Sequence, residues 1–163
     1  MDLTPTQQAI TAAKAIRGYL MPPAGKAQIQ SANAVLAGHG LPKIPQDFSE
    51  YLELCNGFQG ANFLLLGTNP MALAGDYVEP SIFGATQQAI RDEFIDRMSL
   101  VLGRSYSGIV VTYHSQKKQY VLLDDHSDQE FDIVPDLIAF VDYMNGIARQ
   151  TLAERKYPPH SSG

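Results

Sequence analysis

The residues best suited to chemistry lie in one acidic turn, Asp124-Asp125-His126-Ser127-Asp128. Carboxylates and imidazoles are the groups that bind metal ions or transfer protons. A calcium site of the EF-hand type would need a central glycine and a closing glutamate, which this turn lacks. A zinc site would need cysteine or several histidine ligands, and the whole chain has one Cys and four His. We therefore predict no metal and no cofactor, and expect an acidic β-turn or a partner contact here.

A hydrolase that uses His126 with the neighbouring aspartates is the enzymatic alternative, because catalytic triads assemble in space rather than in sequence. The chain contains no Gly-x-Ser-x-Gly nucleophile elbow, and its serines lie in ordinary turn sequences. The glycines of Gly57-Phe58-Gln59-Gly60 lack the lysine of a phosphate-binding loop and the spacing of a dinucleotide site. The residues therefore favour a non-catalytic protein.

The negative charge is concentrated in one C-terminal segment. The chain carries a net charge of −5, and residues 119–148 contain no Lys or Arg. The acids of this segment are Asp124, Asp125, Asp128, Glu130, Asp132, Asp136 and Asp142. Nucleic-acid binding needs basic surfaces, so this pattern argues against nucleic acid and favours a basic protein partner. A solvated acidic face that maintains solubility is the alternative.

We assign candidate partner-binding residues on charge and on aromatic character. The acidic candidates are Asp124, Asp125, Asp128, Glu130 and Asp132. The aromatic candidates, Phe58 and Tyr77, belong with Phe63 and Phe83 to a group around the long connection at residues 67–84, where they would line a recognition pocket. Aromatic residues in such positions are equally compatible with a simple hydrophobic core.

Length and composition are typical of one soluble domain. With 163 residues, of which 45% are hydrophobic and 18% charged, the chain is long enough to form a single core. Its first residues lack the basic and apolar regions of a signal peptide, and no apolar run approaches the ~18 residues of a membrane span. We expect a cytoplasmic protein with no membrane partner, an inert Cys55, and a frayed tail at residues 157–163.

Residues 44–58 predict a short helix and also contain the residues that would begin and end it. Pro45 suits the first helical position, Asp47 suits the first turn, and Asn56-Gly57 would tolerate a left-handed stop. One apolar stripe with helical spacing is formed by Phe48, Tyr51, Leu52 and Cys55. We expect this stripe to be buried, with Asp47, Glu50 and Glu53 turned to water.

The rest of the chain predicts helices at both ends and strands between them. The N-terminal 40 residues predict two helices, one continuing its apolar stripe to Leu20 and one over residues 26–37. Short apolar runs predict a buried strand at 62–66, an antiparallel meander at 99–102, 109–113 and 119–123, and an edge strand at 130–132. We expect the strand at 109–113 to be central. Pro135 begins a closing helix that Asn145-Gly146 would end or kink.

This order of elements resembles the SUKH superfamily, which includes fungal cell-wall regulators of the Smi/Knr type and many bacterial toxin-immunity proteins. The leading motif is Ile44-Pro45-x-Asp47-Phe48-x-x-Tyr51-Leu52-x-x-Cys55-Asn56-Gly57. Residues 100–104, 109–113 and 120–124 are similar to the later strands of its YrhA-like bacterial branch. The N-terminal 40 residues lie outside the motif, and the chain lacks the tryptophan of many relatives.

The resemblance implies an α+β fold: an antiparallel, twisted sheet packed by helices. The SUKH-like core would span residues 41–148 of a single domain, with residues 1–40 as a helical extension added at the edge of the sheet. The implied function is that of a bacterial immunity protein, which neutralises a cognate toxin, such as a basic nuclease, by binding it. A housekeeping regulatory or interaction module of the same fold is the alternative.

Overall fold

The computed structural model describes residues 2–14, 19–60, 62–72, 77–127 and 129–156. Within them, the helices are α1 (Pro5–Lys14), α2 (Lys26–Gly38), α3 (Gln46–Leu54), α4 (Ile82–Arg91) and α5 (Leu137–Lys156). The strands are β1 (Tyr19–Leu20), β2 (Phe58–Gln59), β3 (Phe63–Leu65), β4 (Met71–Ala72), β5 (Val78–Glu79), β6 (Ser99–Ser105), β7 (Ile109–His114), β8 (Gln119–Asp124) and β9 (Glu130–Val134).

One antiparallel sheet organises the fold. Among the described residues, its seven strands follow the order β1-β2-β3-β6-β7-β8-β9, and β4 and β5 form a separate hairpin. The predicted α+β class, the meander β6–β8 and the edge strand β9 are therefore confirmed. Strand β7 has neighbours on both sides, although β6, rather than β7, occupies the middle of the sheet.

The two faces of the sheet have different coverings. The core face carries Leu100 and Tyr120, which belong to the main hydrophobic cluster with residues of α1, α3 and α5. On the outer face, the register aligns Val101, Thr112 and Val121 across three strands. Helix α4 packs on this outer face, where the backbone N–H of Val101 donates to Thr86 Oγ1 at 2.9 Å.

The predicted stripe of the motif helix is confirmed. Phe48, Tyr51, Leu52 and Cys55 are all completely buried. The ends of the helix differ from the prediction, because Pro45 is the N-cap and Cys55, rather than a left-handed residue, ends the helix with an extended backbone. Gly57 has a φ of 131°, and a Cβ there would lie 2.7 Å from the sulfur of Met71. The glycine therefore permits close packing rather than a helical stop.

The prediction that Asp47 faces water is wrong. Asp47 Oδ1 accepts a hydrogen bond from the Tyr120 hydroxyl at 2.6 Å, and Oδ2 accepts one from the backbone N–H of Leu137 at 2.8 Å. The first N–H groups of a helix have no partner within that helix, so a carboxylate from another helix can satisfy one of them. Glu50 and Glu53 are only partly exposed.

Two further polar residues of the motif also join separate segments through backbone atoms. The Tyr51 hydroxyl lies 3.1 Å from the carbonyl oxygen of Leu65 in β3. Asn56 Oδ1 accepts a hydrogen bond from the backbone N–H of Thr68 at 2.7 Å. The polar residues Asp47, Tyr51 and Asn56 thus attach the motif helix to α5, to β3 and to the segment that follows β3.

The N-terminal segment supplies β1 at one edge of the sheet, where the extension was predicted, and it also belongs to the main core. Ile10 and Ala13 of α1 are buried, and α1 contacts both α3 and α5. Leu20 does not continue a helix, because it lies in β1 opposite Phe58 of β2. The second predicted helix is confirmed as α2.

Two other predictions need correction. The connection at residues 67–84 contains the β4–β5 hairpin and the start of α4, rather than only loop. Helix α5 continues through Asn145-Gly146 to Lys156. Asn145 is buried, so its side of α5 packs against the protein and tertiary contacts outweigh its weak helix propensity. The predicted tail at residues 157–163 lies outside the described residues.

Candidate functional site

An open groove of about 430 Å³ lies between α4 and the outer face of the sheet. Its lining includes four residues next to or within the sheet, namely Leu66, Val101, Gly103 and Val110. Ala85 and Ala89 line it from α4, with Phe94 from the segment after the helix. Residues four apart lie on the same side of a helix, so two short side chains leave space along this wall of α4. We refer to this feature as the outer groove.

An ion pair forms part of the lining of the outer groove. Glu79 of β5 is only 4% exposed, and its Oε1 accepts a hydrogen bond from Arg104 Nε of β6 at 2.8 Å and a second from Arg104 Nη2. Hydrogen bonding to Glu79 raises the pKa of Arg104. A buried ion pair of this kind adds little net stability, because desolvation offsets the attraction. Its main effect is to fix the orientation of the Arg104 guanidinium.

Two exposed tyrosines lie next to Arg104. Its Nη2 donates to the Tyr77 hydroxyl at 3.3 Å, and its guanidinium carbon lies 5.6 Å from the centre of the Tyr106 ring. Tyr77, Val78 and Tyr106 are 53%, 55% and 45% exposed. We call Tyr77, Arg104 and Tyr106 the tyrosine–arginine cluster. Tyrosine and arginine are enriched among residues that dominate protein–protein binding energy.

The two predicted aromatic site residues have different positions. Tyr77 belongs to the tyrosine–arginine cluster, whereas Phe58 is completely buried and its ring centre lies 5.2 Å from that of Phe63. Phe58 is therefore a core residue, and its assignment to partner binding is wrong. Sequence reasoning missed Arg104 and Tyr106. An aromatic residue in the polar turn between β6 and β7 was the available signal for Tyr106.

The predicted acidic residues around the turn after β8 have separate roles. Asp125 lines the outer groove. Asp124 is half-buried, and its Oδ1 accepts a hydrogen bond from the backbone N–H of His126 at 2.8 Å, which stabilises the turn locally. Asp128 lies outside the described residues. Glu130 is exposed and lies 3.7 Å from Lys117 Nζ.

A register shift divides the acidic residues of β9 between the two faces of the sheet. Asp132 pairs with Leu122, but Glu130 pairs with Leu123 because the register shifts at this point. Paired residues share a face, and successive strand residues alternate between faces. Glu130 therefore lies on the outer face with Leu123, and Asp132 lies on the side of Leu122. The described acids Glu130 and Asp132 therefore lie on opposite faces of the sheet, and Glu130 shares its face with the outer groove.

His126 lies in an exposed turn, and His114 is the partly buried last residue of β7. His126 Nε2 lies 3.2 Å from Asp125 Oδ1, but the His126 side chain is 91% exposed. Catalytic electrostatics depend on water-excluded surroundings, which such an imidazole lacks. His114 Nδ1 accepts a hydrogen bond from the backbone N–H of Lys117 at 3.3 Å in the β7–β8 turn. Across the part of the chain that the structure describes, no three His, Cys, Asp or Glu side chains form a metal-binding group.

The single cysteine is chemically protected. Cys55 is completely buried, and burial raises the pKa of its thiol to about 12. The thiolate is the reactive form of cysteine, so the buried thiol is a poor nucleophile at neutral pH. Cys55 therefore serves packing.

Comparisons with protein-family models and with curated proteins identify no relative of this chain. Among the helices of the described residues, none combines the length and the apolar character needed to cross a bilayer. The candidate site therefore consists of the outer groove and the adjoining tyrosine–arginine cluster, defined by geometry alone.

Proposed function

We propose that this chain is a non-catalytic protein-binding domain that acts in the cytoplasm as a bacterial immunity protein. It would bind a cognate toxin in a stoichiometric complex and cover the toxin's functional surface. The observation that carries the proposal is the exposed tyrosine–arginine cluster beside the outer groove. The immunity role itself derives from the resemblance of the motif at residues 44–57 to the SUKH superfamily.

The cluster has the physical properties of a binding anchor. Tyrosine and arginine side chains offer large contact areas with polar ends, and a few such residues commonly supply most of the affinity of an interface. Glu79 already holds Arg104 in one orientation, so little side-chain entropy remains to be lost on binding. The geometry thus favours a preformed contact with a folded protein surface.

Charge favours a basic partner, such as a nuclease toxin. Asp125 lines the groove, and Glu130 is exposed on the same face of the sheet. Acidic groups at the rim of an interface mainly raise the association rate with a basic partner and make it dependent on salt. A housekeeping interaction module would use the same surface, and the genes on either side of the coding sequence distinguish the two roles.

The test is growth rescue with the product of a neighbouring toxin gene. Co-expression of the wild-type chain should restore growth of cells that produce the toxin, and the purified proteins should form a one-to-one complex. Replacing both Tyr77 and Tyr106 with Ser should abolish rescue while preserving the fold. Tyr143→Ser is the matched control, because Tyr143 is an exposed tyrosine of α5 outside the cluster.

Three results discriminate between the possibilities. Loss of rescue in the double variant alone supports the proposed surface. Equal rescue by the double variant and the wild type would show that the interface lies outside the tyrosine–arginine cluster. Absence of both binding and rescue with any neighbouring gene product would favour the regulatory module.

A further inference from the structure

The outer groove has an apolar base beside a wall of small side chains. Val101 and Val110 lie on the outer face of the sheet, and Ala85 and Ala89 extend along the adjoining side of α4. A larger side chain at Ala85 or Ala89 would extend into the outer groove and reduce its volume. The volume of about 430 Å³ falls within the range of roughly 300–1,000 Å³ that is typical of ligand-binding clefts.

Among the described residues, carboxylates outnumber cations in the lining of the outer groove. This lining includes Glu79, Asp92 and Asp125, and Arg104 is its only described basic residue. Glu79 is already bonded to Arg104. Asp92 ends α4, where Gln88 Nε2 donates to its two carboxylate oxygens at 3.1 and 3.2 Å. The groove therefore combines an apolar base with negative charge from two different elements.

We infer that the outer groove binds a short segment of the partner protein in which one or two apolar side chains adjoin a lysine or arginine. The apolar side chains would occupy the space beside Ala85 and Ala89, and the basic group would lie between Asp92 and Asp125. This inference deepens the proposed function, on which it rests, by assigning a partner chemistry to the groove beside the tyrosine–arginine cluster. Burial of apolar surface supplies the affinity, and the carboxylates select the charge of the segment.

The experiment selects peptides from a random 12-residue library, displayed on phage, against the immobilised full chain. Selected peptides are then synthesised, and their affinities are measured by fluorescence anisotropy. We expect a consensus with an apolar residue next to Lys or Arg. Ala89→Leu should weaken binding of these peptides at least ~10-fold, since the added side chain occupies the groove. Ala34→Leu makes the same change on the exposed side of α2 and should leave affinity unchanged.

A second variant keeps the test independent of packing changes in α4. Asp92→Asn combined with Asp125→Asn alters charge at two exposed sites and should weaken binding a few-fold at low salt, with a smaller effect at 1 M salt, where the Debye length is about 3 Å. An acidic consensus, no consensus, or equal binding by Ala89→Leu would overturn the inference.

Growth rescue separates this inference from the proposed function. Rescue without a basic, apolar peptide consensus would overturn only the assignment of the groove. A basic, apolar consensus that Ala89→Leu eliminates, found in a chain that gives no rescue, would support the groove assignment and overturn only the immunity role.

Discussion

Removing the Asp47 carboxylate should destabilise the protein far more than removing other acids of the same helix. In Asp47→Ala, the Tyr120 hydroxyl loses its acceptor at 2.6 Å and the N-terminus of α5 loses its contact at 2.8 Å. Hydrogen bonds to charged groups contribute about 1.5–3 kcal/mol each. Tyr120 is almost completely buried, so water cannot readily replace the lost partner. We expect the free energy of unfolding to fall by about 3–5 kcal/mol.

The assay is urea unfolding followed by circular dichroism, with Glu53→Ala as the control on the same helix. Glu53 is partly exposed, and its substitution should change the free energy of unfolding by less than about 0.5 kcal/mol. Tyr120→Phe and the Asp47→Ala/Tyr120→Phe pair complete a double-mutant cycle, for which we expect a coupling energy of about 1–3 kcal/mol. Equal stability of Asp47→Ala and Glu53→Ala, or a coupling energy near zero, would refute the role assigned to Asp47.

Three further predictions concern alkaline stability, the core and the acidic turn. Burial raises the pKa of Cys55 to about 12 and also raises that of Tyr120, so at high pH the unfolded chain releases these protons first. Stability should therefore decline as pH rises above about 8.5, and more steeply above about 10. Urea midpoints measure this decline, and an unchanged slope between about pH 8.5 and 10 in Cys55→Ala would contradict the contribution of the thiol. Leu52→Ala should lower the free energy of unfolding by about 2–5 kcal/mol, and a smaller loss would mean that the motif helix is not anchored in the core. Asp124→Asn with Asp125→Asn should slow association with the partner and flatten its salt dependence while leaving folding intact. Stopped-flow rates at several ionic strengths measure this effect, and unchanged rates would assign the turn to solubility alone.

Local sequence patterns predicted the elements whose structure depends on local signals. The spacing of Phe48, Tyr51 and Leu52 determines which side of α3 is buried, and the turns between apolar runs separate β6, β7 and β8. Strand β1 was missed because its two residues form a strand only through pairing with Phe58 and Gln59. No local pattern in a two-residue segment encodes a partner almost 40 positions away in the chain.

The candidate site was less predictable because it depends on residues from separate elements. Glu79 and Arg104 are 25 positions apart and meet only after the β4–β5 hairpin packs against β6. The sequence shows how many acids this segment carries, but it does not show on which face of the sheet each one lies. One register shift places Glu130 and Asp132 on opposite faces. Tyr77 was identified as a partner-binding candidate from its place in a long connection, whereas Phe58 was assigned on the same grounds and is a core residue.

Three side chains of the motif form hydrogen bonds to main-chain atoms, and this affects how far such a sequence can diverge. Asp47, Tyr51 and Asn56 bind main-chain atoms of Leu137, Leu65 and Thr68, and main-chain atoms persist when a side chain is replaced. Leu137 and Leu65 can therefore be replaced over evolutionary time, within the limits of size and polarity, while these attachments persist, whereas the Thr68 hydroxyl also accepts a hydrogen bond from Asn56 Nδ2 at 2.8 Å. The three motif side chains lack this freedom, because each supplies the particular atom that forms the bond. Lineages of this fold can thus lose overall similarity and still retain a short, recognisable motif.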